Sequence, residues 1–136
     1  MKALFTVILA VVPEMVSAQG LAARAAAVDS AAQPTPGALF EFQVDRPAKL
    51  IGRRLAPIYP AALQTAQLGG TVLVRFEVDT MGAVDLTTYR VLQSPHEEFG
   101  AAVRAALAVA RYKPARNNGR VVRQVVMQRF DFAPKR

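Results

Sequence analysis

The sequence predicts an α+β domain: an antiparallel three-stranded sheet packed with two helices, with an extra N-terminal strand as a candidate addition. Three observations lead there. Thr71 to Val78 alternates with Val72, Val74, Phe76 and Val78 on one side, and after Asp79-Thr80-Met81-Gly82 the run Val84 to Leu92 returns as the second arm of a hairpin. Phe99, Val103, Ala106 and Ala110 recur at helical spacing and form one apolar face. Val121 to Phe132 is a third extended run, with Val122, Val126, Phe130 and Phe132 on one side. Apolar residues make up 52% of the 136, enough for one core, which Val, Ala, Leu and seven Phe must build because Trp is absent.

The chain opens with Lys2 and an apolar run from Ala3 to Val12, interrupted only by Thr6, closed by Pro13-Glu14 and followed by Val16-Ser17-Ala18. This is the layout of a secretory signal peptide over residues 1–18, cut after Ala18. A membrane-crossing helix needs about 20 apolar residues, roughly twice this run. A retained inner-membrane anchor is the alternative. Residues 19–37, rich in Ala and Gln with Pro34 and Pro36, read as a flexible spacer. Residues 38–55 hold a short alternating strand, Leu39 to Val44, and an extended connector.

Residues 56–132 form the domain proper. Pro60 suits the first position of a short helix running to Leu68, with Gly69-Gly70 as its left-handed stop. The second hairpin arm slips out of alternation at Thr87 to Tyr89, which predicts a bulge. Ser94-Pro95-His96-Glu97 offers a capping Ser, a first-turn Pro and a Glu three residues on, opening a helix to about Ala110. Ala115 to Gly119 reads as a polar loop. The order is helix, hairpin, helix, strand, and the last strand lies beside the hairpin at the sheet edge. Gln124 and Gln128 interrupt its apolar side without an evident reason.

Chemistry-bearing constellations are sparse. No Cys is present, which excludes disulfides, thiolate metal sites and Cys nucleophiles. His96 is the single His, and Glu97 and Glu98 beside it diverge around a helix instead of converging on a metal. Ser94, His96 and Asp85 could be written as a triad, but no nucleophile elbow or oxyanion loop accompanies them. Gly69-Gly70 lacks the Lys and Ser/Thr of a phosphate loop. No cofactor, metal site, small-molecule substrate or enzymatic activity is expected. Seventeen Lys and Arg against ten Asp and Glu give a formal charge of +7, which suits an anionic partner: nucleic acid, lipid headgroups, a cell-wall polymer or an acidic peptide.

Tyr59-Pro60, Gly70-Thr71-Val72 through Phe76-Glu77-Val78-Asp79, Gly82-Ala83-Val84, Phe99 with its helix, and Tyr112-Lys113-Pro114-Ala115 ahead of the final strand together resemble the carboxy-terminal domain of TonB-type energy transducers. The match covers about Ala56 to Phe132, with Tyr59, Pro60, Gly70, Gly82, Tyr112 and Pro114 as its motif residues. Ser94-Pro95-His96, Gly100, Gln124 and Gln128 depart from the family pattern. The resemblance implies a periplasmic, non-catalytic domain that binds an outer-membrane receptor or another envelope protein, or pairs as a homodimer, without contacting nucleic acid. It further implies capture of a short receptor segment, the TonB box, as an added strand, with main-chain bonds supplying affinity. The matching element here is Arg120 to Phe132, with Arg120, Val121, Arg123, Val125, Met127 and Arg129 as partner-binding residues, Arg123 and Arg129 facing out toward an acidic guest. Typical members keep an anchoring helix and a long Pro-rich spacer. This leader and spacer match neither, so an interaction module is expected ahead of a membrane-anchored transducer.

Overall fold

The computed structural model describes residues 33–136. The leader and most of the spacer, to which the signal-peptide and cleavage expectations refer, lie outside the described residues.

Strand β1 is Leu39–Phe40, and β2 is Lys49–Leu50. Helix α1 is Ala61–Thr65, followed by the hairpin of β3 (Gly70–Val78) and β4 (Val84–Gln93). Helix α2 is Glu97–Ala108. After it come β5 (Tyr112–Lys113), β6 (Ala115–Asn117), β7 (Arg120–Val122) and β8 (Gln124–Phe132). The main sheet has four strands in the order β1-β8-β3-β4. Strands β3, β4 and β8 are antiparallel, while β1 joins the outer side of β8 in parallel. The fold is α+β, as the alternating runs and the helical face predict.

Val72, Val74, Phe76 and Val78 of β3 are all fully buried, and so are Phe99, Val103 and Leu107 of α2. Each such side chain contributes roughly 1.5–3 kcal/mol of apolar burial. Tyr59 stands edge-on to both Phe99 and Phe132, centroids 5.7 and 5.5 Å away, and those two rings stack at 4.3 Å. This cluster locks the start of α1 and the end of β8 onto α2.

Several sequence expectations are corrected. Leu39 to Val44 is not one strand: the Gln43 side chain accepts the Phe40 N–H at 2.9 Å, and Glu41–Gln43 becomes a 3-10 turn. The short helix ends at Thr65, and the left-handed residue beyond it is Gln67 (φ 56°). The two glycines serve close approach instead. A Cβ on Gly69 would lie 2.5 Å from the Phe132 carbonyl oxygen, and one on Gly70 2.4 Å from Pro95 Cγ. Pro60 is the N-cap, not the first helical residue. His96 caps α2, while Ser94 donates its hydroxyl to the His96 carbonyl at 2.6 Å. The buried face of α2 uses Leu107, with Ala106 only partly covered.

The expected single strand from Arg120 to Phe132 is two. Asn118 and Gly119 both have positive φ (51° and 77°), so Asn117 pairs with Arg120 across a two-residue turn and β7 belongs to a separate hairpin with β6. The bulge lies where alternation slips: Arg75 pairs with Arg90, but Glu77 pairs with Asp85. Thr88 fills the gap, its Oγ accepting the Glu77 N–H at 2.9 Å.

Candidate functional site

The outer side of β8 is the candidate site. The direction of its backbone groups follows from two independent bonds. The Leu39 N–H donates to the Arg123 carbonyl at 2.9 Å, so odd-numbered residues of this strand point away from β3. From the other side, the Glu77 N–H points to Thr88 on β4, so even-numbered residues of β3 face β8, where Val74 pairs with Gln128 and Phe76 with Val126. Strand β1 reaches only Gln124 and Val125. Beyond it, Met127, Arg129 and Asp131 each turn an N–H and a C=O outward, and no strand among the described residues receives them.

That rim borders a cleft of about 390 Å³. Arg54, Leu55, Ala56, Pro57 and Tyr59 of the connector form one wall, and residues 128–133 form the other. The opposite edge of the sheet, β4, is shielded by its own side chains. Arg90 donates to the Thr87 and Tyr89 carbonyls, the Thr88 hydroxyl to the Asp85 carbonyl, and Asp85 accepts the Thr87 N–H. A bulged edge with occupied carbonyls resists strand addition.

The residues expected to meet a partner are dispersed. Met127 and Arg129 lie on the open rim with exposed side chains. Arg120 and Val121 sit in the β6–β7 hairpin. Val125 is buried where β1 pairs with β8. Arg123, expected to face an acidic guest, is bound within the monomer: its guanidinium meets Glu77 at 3.0 Å and Asp85 at 2.9 Å. Glu77 is only 3% exposed, and its other oxygen accepts the Thr35 N–H at 2.7 Å. The triad therefore fastens the segment leading into β1. Glu77 falls with Thr71 and Arg75 on the polar side of β3, so its burial leaves no mark in the sequence. Two bonds in all hold the Asp85 carboxyl to Thr87, whose hydroxyl donates at 2.6 Å. Those bonds, with Arg123, keep it below its ordinary value of 3.8 despite partial burial.

Both glutamines acquire a role. Gln124 is buried and accepts the Ala48 N–H at 2.7 Å, pinning the connector. Gln128 accepts the Tyr112 hydroxyl at 3.3 Å. Tyr112 is buried against Phe76, and its N–H donates to the Gly82 carbonyl at 2.8 Å. Tyr59 donates its hydroxyl to the Leu68 carbonyl. These family-motif residues build the frame around the rim instead of the rim itself.

The Ser94, His96 and Asp85 side chains are engaged with separate partners instead of with one another. Ser94 bonds the His96 backbone, the imidazole lies against Phe99, and Asp85 is committed to Arg123 and Thr87. Among the described residues, no three His, Asp or Glu gather as metal ligands. No described helix is long and apolar enough to cross a membrane.

A family model described as the Gram-negative bacterial TonB protein C-terminal matches residues 56–134. Among solved structures, the chain is similar to the TonB CTD of Pseudomonas aeruginosa, determined by solution NMR. The two are 30% identical, the likeness covers 68% of this chain and 91% of that one, and the TM-score is 0.54. No curated protein matches the chain. With the family model spanning more than half the sequence and a solved relative sharing the fold, the chain belongs to the TonB carboxy-terminal domain family.

Proposed function

We propose that this domain is a non-catalytic periplasmic interaction module that takes up an extended peptide as an added strand on the open rim of β8. The guest is a TonB-box-like segment of an outer-membrane receptor. The observation that carries this reading is the set of outward N–H and C=O groups on Met127, Arg129 and Asp131, the last two of which line a cleft one strand could enter. Each main-chain bond gained contributes about 0.5–1.5 kcal/mol net. Arg54 and Arg129 flank the cleft and favour an acidic guest, at ~0–1 kcal/mol for each exposed pair.

Titrating the isotope-labelled protein with a receptor plug-segment peptide tests it. Amide shifts should concentrate at Met127, Arg129 and Asp131 and in the connector from Arg54 to Pro57. Shifts confined to β4 or α2, or none, would contradict the reading. A second copy could dock along the same rim, and such a homodimer would lose peptide binding as it forms. Export with cleavage after Ala18 belongs to the same proposal. Mass spectrometry of the native protein separates it from an anchored transducer, which would retain residues 1–18.

A further inference from the structure

A second surface, independent of the rim of β8, carries a different partner. The connector and the segment after α2 form one antiparallel ribbon in a single register: Arg46 lies opposite Arg116, Lys49 opposite Lys113, and Leu50 opposite Tyr112. The ribbon continues at Ile51, whose N–H donates to the Arg111 carbonyl at 2.8 Å. Leu50 and Tyr112 turn into the core, so alternation sends Lys49, Ile51, Arg111 and Lys113 to the other side, where all are exposed.

Like charges set directly opposite one another destabilise a strand pair. This ribbon carries two such pairs in succession and Arg111 besides. Among the described residues, none of the five cations has a carboxylate within ion-pair distance. Asp45 lines a cavity with Arg46 and Arg116 and keeps its charge while accepting the Asn118 N–H at 2.7 Å, so it screens that end of the ribbon and leaves Lys49, Arg111 and Lys113 as the uncompensated group. Arg111 donates to the Ala110 carbonyl and Arg116 to the Gly119 carbonyl, bonds that in themselves neutralise neither charge. Core packing of Leu50 and Tyr112 holds the repelling side chains together.

Ile51 stands among these cations at 53% exposure. An apolar side chain beside Lys49, Arg111 and Lys113 suits the boundary of an anionic bilayer, where headgroups meet the cations and the aliphatic tip enters the interface. A soluble anionic polymer without apolar groups would satisfy the charges but leave Ile51 in water. We infer that the Arg46–Ile51/Arg111–Arg116 ribbon is a docking face for anionic phospholipid headgroups.

Co-sedimentation of the purified protein with vesicles tests this. One set mixes phosphatidylglycerol with phosphatidylethanolamine, and the other is phosphatidylcholine alone. The wild type should favour the first set and be released as salt rises. K49Q/K113Q should bind the anionic vesicles roughly 25-fold more weakly, about fivefold for each cation removed. Its thermal midpoint should be unchanged or higher, because a repulsive pair is gone. Ile51→Ser should weaken binding a few-fold at unchanged salt sensitivity. All variants share the same leader, so a difference between them belongs to the ribbon. Equal binding to both vesicle types, undiminished binding by K49Q/K113Q, or tight binding to soluble polyphosphate without vesicle retention would each overturn the assignment.

Discussion

A methyl group at position 82 would lie 2.0 Å from the Tyr112 carbonyl oxygen, and the backbone there has φ +81°, so steric exclusion and conformation both demand glycine. Gly82→Ala should lower stability by at least about 2 kcal/mol in urea titration, since strain of this kind alone costs about 1–3 kcal/mol. Arg123→Gln should be worse, roughly 3 kcal/mol, because it leaves Glu77 buried without its cation. Titration brings out other residues. The carboxyl of Asp85 is held below 3.8 by Thr87 and Arg123, so its contribution is complete above that value and fades as pH falls through its lower folded value. Asp85→Asn should flatten that acid limb. Burial pushes the Tyr89 and Tyr112 hydroxyls up from 10.0 to about 12, where they stay protonated to bond Gly100 and Gln128. Unfolding releases those protons more readily, so stability should decline as pH rises from about 10 toward 12. Tyr89→Phe should remove part of that decline in alkaline melts.

Elements whose residues repeat at a fixed period were legible. The β3–β4 hairpin, its bulge and the buried face of α2 follow from alternation and helical spacing, because burial on one face selects those periods. The missed features are set by single side-chain bonds, one local and two long-range, that leave no periodic trace. Gln43 turns the chain after Phe40, Gln124 pins Ala48, and Glu77 takes the Thr35 N–H; the latter two partners lie 76 and 42 positions apart. Asn118-Gly119 was a readable hairpin turn, but Arg120 to Phe132 looks continuous because β7 and β8 are both extended. The parallel strand β1 has the most direct consequence for the site. It caps Gln124 and Val125 and leaves the rim open beyond them. Deleting residues 19–44 should therefore lengthen the docking edge and tighten peptide binding in calorimetry. Unchanged affinity would mean that β1 does not limit the site.

At the scale of the whole molecule, two layers divide the labour. The helices and the ring cluster of Tyr59, Phe99 and Phe132 cover one face of the sheet and hold the end of β8 straight. The connector, pinned by Gln124 and by the β2–β5 pair, stands off from that strand and makes the opposite wall of the cleft. The family was legible from motif order, and two rim residues, Met127 and Arg129, with it; the direction of their backbone groups followed only from the register. The rim's central feature is that the Arg129 N–H points away from β3. Proline at such an edge position removes the outward donor while sparing the ladder. The most direct test is peptide affinity of Arg129→Pro beside Arg129→Ala, with thermal melts of both. Proline should leave the domain folded and abolish measurable docking, while alanine, which keeps the N–H, binds within a few-fold of wild type. Peptide binding by a folded Arg129→Pro variant at wild-type strength would contradict strand addition at this edge.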